Sequence, residues 1–167
     1  MTFALNALWV RPTGARGGTV EVDEIRFGAT WDSVTRIGYG SACLGTWITR
    51  SGRAAAGSSL DVLLRGASPN ASAFLAFGGS RTSWRGLPLP LDLGAAGAPG
   101  CSVLASFDLT VPAVTDPAGA ASVSLAIPNL SSLAGTKLYL QWASADASRT
   151  HPLPLAFSDG MELLFER

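Results

Sequence analysis

Few side chains in this chain could do chemistry, and the two cysteines are the sharpest pair. "YGSAC" ends in Cys43 and "GAPGC" ends in Cys101, and the chain has no other cysteine. Each cysteine has glycines close before it, which lets the backbone turn tightly there. A bridge between them would close a loop of roughly sixty residues, for which chain-entropy arguments give about 4 kcal/mol of stabilisation. The competing reading is two buried thiols, since free cysteine packs as a small hydrophobe. Zinc would need two further ligands, and His151 is the only histidine. His151 stands in "RTHPLPLAF" ahead of two prolines with no GxSxG elbow to supply a nucleophile, so it reads as a solvated loop residue.

The carboxylates are scattered: Asp23 and Glu24, Asp92, Asp108, Asp116, Asp146 and Asp159. A glycosidase needs two at a fixed separation across a cleft, which this scatter does not place. Asp116 in "TDPAG" and Asp159 in "SDG" read as turn formers. No cofactor is expected; calcium held between loops by these hard oxygens is the alternative. Trp47, Trp84 and Trp142 could stack on sugars, because an aromatic ring offers a broad apolar face with a polar edge. The best segment for that is "GGSRTSWRGLP", which carries Arg81, Trp84 and Arg85 between glycines. Against it, Trp142 is in phase with Leu138 and Leu140 and reads as core, and Trp84 as a cover on a sheet end. Asn70 and Asn129 begin glycosylation sequons that are common by chance.

The elements that must position these groups are strands. Leu60, Val62 and Leu64 alternate with Asp61 and Arg65; Val123, Leu125 and Ile127 repeat the pattern, as do Leu138, Leu140 and Trp142, and finally Met161, Leu163 and Phe165. "CSVLASFDLTV" reads as one strand, with Cys101, Val103, Ala105, Phe107, Leu109 and Val111 inward. "LPLPLDLG" alternates leucines with Pro88, Pro90 and Asp92, so it is an edge strand or an extended arm lying over the core. "NLSSLAG" hints at one helical turn capped by Ser131 or Asn129. Turn chemistry recurs in "GASPNAS", "GAAGAPG", "TDPAGA" and "SDG". The expected fold is all-β, an antiparallel two-sheet β-sandwich of jelly-roll or Ig-like type, with an N-terminal β-hairpin or arm.

Residues 1–37 form that arm. Phe3, Leu5, Ala7 and Trp9 share a face, a Gly17-Gly18 turn follows, and a phase shift after Val20 and Val22 suggests a bulge near Asp23–Glu24. A hairpin this short must dock, either on the sandwich of residues 38–167 or on another chain as a strand donor through Phe3, Leu5 and Trp9. The opening stretch has no basic residue before its apolar run, so it is a poor secretory signal; an exported protein would have its signal elsewhere.

Composition narrows the partners. With 47% hydrophobic and 14% charged residues the chain is not a solvated disordered polymer. Twelve acidic residues balance twelve basic ones, so no long-range positive field would gather nucleic acid. No apolar run approaches the roughly 18–20 residues a membrane span needs. The basic residues are arginines apart from Lys137, and alanine and glycine are abundant, the usage of a GC-rich bacterial genome.

Two resemblances carry the reading further. "VDEIRFGATWDSVTR" at residues 22–36 resembles the closing strand and exit of concanavalin-like, laminin-G-type jelly rolls of bacterial secreted proteins, whose earlier strands are absent here. Residues 39–165 resemble a C-terminal module of large secreted proteins of planctomycetes and related bacteria. The motifs are "YGSAC", "GASPNASAFLAFGGS", "LPLDLGAAGAPGC", "IPNLSSLAGTKLYLQW" and "FSDGMELLF", with Leu44 where the family often has proline. That resemblance implies an extracellular or cell-surface setting and a sandwich, and it attaches no activity. The implied setting favours the disulfide over free thiols. The expected function is a non-enzymatic extracellular structural or interaction module of a surface or secreted protein. Alternatives are a self-assembling filament or sheath subunit whose partner is a second copy, and a carbohydrate-binding module whose partner is a polysaccharide.

Overall fold

The computed structural model describes residues 38–146 and 152–166. The expected arm with Phe3, Leu5 and Trp9, the bulge at Asp23–Glu24, the jelly-roll-like stretch 22–36 and His151 lie outside the described residues. In chain order the strands are β1 (Gly38–Tyr39), β2 (Trp47–Gly52), β3 (Ser59–Arg65), β4 (Ser72–Gly78), β5 (Ser83–Trp84), β6 (Leu87–Pro88), β7 (Leu91–Asp92), β8 (Ser102–Val103), β9 (Leu109–Val114), β10 (Ala121–Ala126), β11 (Lys137–Ala145) and β12 (Leu155–Leu164). Among the described residues one 3-10 turn, Ser131–Leu133, occurs, and it precedes β11. It starts at Leu130 with no side-chain cap, so neither Ser131 nor Asn129 plays the capping role expected of it.

Five strands form the large sheet in the order β1-β12-β11-β4-β9, and three form the small sheet in the order β10-β3-β2, with every ladder antiparallel. The two sheets pack face to face as a β-sandwich, as alternation requires when one face of each strand is apolar. Ile48, Leu60, Val62 and Leu64 of the small sheet meet Leu75, Leu140, Trp142, Met161 and Leu163 of the large one. Val123, Leu125 and Ile127 close the same core.

In the large sheet the simple alternation breaks down, because β11 and β12 are buried on both faces. Leu140 and Trp142 point between the sheets, while Ala143 and Phe157 belong to a second apolar cluster on the outer face. That outer face is covered by the segment 79–108, which holds the ribbons β5-β6 and β7-β8. "LPLPLDLG" is accordingly an arm over the core: Leu89 is buried, Leu91 and Leu93 pack against the second cluster, and Leu87 is exposed.

Three expectations need correction. "CSVLASFDLTV" is not one strand: β8 ends at Val103, β9 begins at Leu109, and Leu104, Ala105 and Ser106 between them are all buried. Leu109 is 63% exposed despite its apolar phase, because it sits at the end of the edge strand β9. Pro112 lies on that same edge strand, where its missing N–H costs no ladder bond. "SDG" is not a turn. Ser158, Asp159 and Gly160 lie within β12 at a bulge, where Trp142 alone stands opposite Ser158 and Asp159. The buried Asp159 carboxylate accepts the Ile48 N–H at 3.0 Å and so joins the two sheets.

Candidate functional site

The segment 79–108 is fastened at its base, its middle and its far end. At the base the Asp108 carboxylate accepts the Gly79 N–H and the Ser106 hydroxyl, both at 3.0 Å. Ser106 and Ser80 also exchange bonds, the Ser106 N–H to the Ser80 carbonyl at 2.8 Å and the Ser80 N–H to the Ser106 hydroxyl at 3.1 Å. In the middle, Gln141 of β11 is 0% exposed. Its amide accepts the Leu104 N–H at 2.8 Å and donates to the carbonyls of Ser102 at 2.9 Å and Ser158 at 2.8 Å. A buried amide satisfied on three sides is favourable; the same amide unpaired would cost several times what it returns.

At the far end Cys43 and Cys101 form the disulfide, with Cα atoms 5.0 Å apart and both residues buried. Cys43 is itself tied to β12, since its N–H donates to the Phe157 carbonyl at 2.9 Å. The expected glycine role holds at Gly40, whose φ is +70° and where a Cβ would meet Leu104 Cδ1 at 2.7 Å.

Arg81, Trp84 and Arg85 divide between two sets of ring contacts. Trp84 is half-buried and tilted against Phe107, ring centroids 5.3 Å apart, and Phe107 in turn meets Phe74 of β4 edge-on. The Arg85 guanidinium lies 5.5 Å from the Trp84 ring centre. Trp142 is 0% exposed between the sheets, as its phase indicates, and the half-buried Trp47 packs on Gly66. Asp116 is a turn former: its carboxylate accepts the N–H groups of Ala118 and Ala120, each at 2.9 Å. Among the described residues no three His, Cys, Asp or Glu side chains converge as metal ligands.

Arg81 instead joins residues that sequence pattern does not single out. Tyr39 of β1 pairs with Gly160, and its ring lies where a Cβ on Gly160 would come within 2.5 Å of the ring. Tyr139 of β11 stands nearly perpendicular to it, centroids 6.2 Å apart at 89°. The Arg81 guanidinium occupies the corner between the rings, 5.5 Å from the Tyr39 centre and 5.8 Å from that of Tyr139. Glu162, opposite Tyr139 in the ladder, contacts Arg81 at 3.5 Å and Lys137 more closely at 2.6 Å.

Burial pushes the Tyr39 phenol well above the ordinary tyrosine range, a shift that the nearby Arg81 charge opposes. The phenol therefore stays protonated and donates to the Leu104 carbonyl at 3.0 Å. The hydrogen bond from Lys137 to Glu162, with the attraction between their charges, raises the lysine. Only the closeness of Gly160 to Tyr39 could have hinted at this corner, and closeness across strands is not written in a single sequence.

Comparison with protein-family models and with curated protein sequences finds no match to this chain.

Proposed function

We propose that this chain is a non-enzymatic β-sandwich module that works outside the cytoplasm as a structural and interaction unit of a surface or secreted protein. The observation that carries the reading is the Cys43–Cys101 disulfide, buried and spanning from the edge of β12 to the covering segment 79–108. Disulfides of this structural kind form and persist in oxidising compartments and are rare where glutathione and thioredoxin keep thiols reduced. The resemblance of residues 39–165 to a module of secreted bacterial proteins points the same way. A covering segment locked at three places supports interaction, because a preorganised surface loses little freedom on binding.

The test is fractionation of the cells that make the protein, with immunodetection in the medium, the envelope and the cytoplasm, and protease treatment of intact cells. Recovery in the medium or envelope, with digestion from outside, is the expected result. Confinement to the cytoplasm with protection from protease overturns the reading.

A further inference from the structure

We infer that Arg81, Lys137 and Tyr139 form a receptor for an acidic polysaccharide, taking the carboxylate of a uronic acid and an adjacent ring hydroxyl. The inference rests on the interaction-module reading for its setting.

Arg81 carries the argument. A guanidinium has five N–H donors in a rigid fork suited to a planar carboxylate. The two tyrosine rings flank it at 5.5 and 5.8 Å, and its side chain is still 48% exposed. Among the described residues its one anion is Glu162 at 3.5 Å, and that carboxylate is held more tightly by Lys137 at 2.6 Å. The guanidinium is thus placed between the two rings with donors to spare.

The backbone beneath it is equally fixed. The Ser80 hydroxyl accepts the N–H groups of Thr82 and Ser83 at 3.2 and 3.1 Å, and the Ser80 backbone is bonded to Ser106. Arg81 therefore sits within a turn held on both sides, the preorganisation that a binding arginine needs.

The neighbouring groups select the ligand. Two cations and one anion leave a local charge of plus one, enough for a single carboxylate and too little for a polyanion bound by field alone. The Tyr139 hydroxyl makes no hydrogen bond to any described residue, and its ring is half-buried in the corner. A hydroxyl that both donates and accepts, beside a fixed guanidinium, matches a sugar acid, whose carboxylate and hydroxyls alternate. An acidic peptide presents carboxylates with no hydroxyl for Tyr139.

The test is isothermal titration of the purified full chain with polygalacturonate, its methyl ester and polyglutamate. The expected result is binding to polygalacturonate that weakens with salt, with none to the methyl ester or polyglutamate. Arg81→Ala should weaken binding by more than about tenfold, the loss expected of a charge-assisted pair. Tyr139→Phe should weaken it by about fivefold, one neutral hydrogen bond. Thermal unfolding of both variants within a few degrees of the parent shows that the fold is kept. Circular dichroism and a mild Arg81→Lys variant serve if the alanine variant misfolds: lysine keeps the charge, loses the fork and should also bind less tightly.

No binding to polygalacturonate, equal binding of the methyl ester, equal binding of polyglutamate, or unchanged affinity in Arg81→Lys and Arg81→Ala would each overturn the inference. The titration uses purified protein and the localisation test uses cells, so either can fail without the other.

Discussion

Replacing Gln141 by leucine asks whether the covering segment is held by one buried amide. Leucine fills nearly the same volume and leaves the backbone alone, so the change isolates the polar contacts. It strands the Leu104 N–H, in a residue 2% exposed, and removes one bond each from the Ser102 and Ser158 carbonyls. A buried donor without a partner costs about 1–3 kcal/mol, and a carbonyl that loses one of its bonds costs less. Leucine recovers part of this by packing against the neighbouring apolar cluster. The expected net loss is about 3 kcal/mol. The assay is urea unfolding with the disulfide intact, read by tryptophan fluorescence, together with amide hydrogen exchange at Leu104. Exchange at Leu104 should quicken while the β3 amides stay protected, because β3 lies in the other sheet. A loss below about 1 kcal/mol with unchanged exchange at Leu104 would refute the latch and place the segment's anchoring elsewhere.

Other outcomes follow from the same structure. Cys43→Ala with Cys101→Ala opens a loop spanning 58 residues in sequence, and should cost about 4 kcal/mol in urea unfolding; a loss below about 1 kcal/mol would contradict the bridge as a stabilising element. Leu109→Lys should change stability by less than about 0.5 kcal/mol, since the side chain faces water on an edge strand; a loss comparable with a core substitution would restore the single-strand reading of 101–111. The raised Tyr39 phenol means that the unfolded chain loses this proton first as pH rises. The fold is therefore favoured in full below the ordinary tyrosine value of about 10 and loses stability above it. The raised Lys137 acts in the same direction, its ion pair being lost as the folded lysine deprotonates. Tyr39→Phe should flatten the decline of melting temperature at alkaline pH; an unchanged slope would show that Tyr39 does not carry it.

Strands with one wet face were legible in the sequence. Leu60, Val62 and Leu64 of β3 alternate with less buried neighbours, and Val123 and Leu125 alternate with exposed serines, because the small sheet has a solvent side. Strands buried twice were only half legible. Leu140 and Trp142 declared the inner face, but nothing in "LQWAS" says that Gln141 is also buried, because its partners lie 17 to 39 residues away. "SDG" reads as a turn by local chemistry. It is overridden by a contact 111 residues distant, the Asp159 carboxylate on the Ile48 N–H, and by the Tyr39 ring that needs a glycine beneath it. "CSVLASFDLTV" alternates except at Leu104 and is broken there, because Gln141 takes the Leu104 N–H and Ser80 accepts the Ser106 N–H.

The candidate site followed the same rule. Cys43 and Cys101 were legible as a pair because their type is scarce. Arg81 was legible as a surface cation in a glycine-bounded loop, but its tyrosine corner was not, since it is assembled from β1, β11 and β12. Trp84 was legible by its ring, but its packing on Phe107 was not.

The claim that most needs testing is that this module lives where its disulfide forms. Cells making the protein would be quenched in acid, alkylated under denaturing conditions without reductant, and digested for mass spectrometry. The peptides carrying Cys43 and Cys101 should be recovered joined to each other, with no alkylated cysteine. Recovery of both cysteines alkylated and unjoined would contradict it, and would return the chain to a reducing compartment.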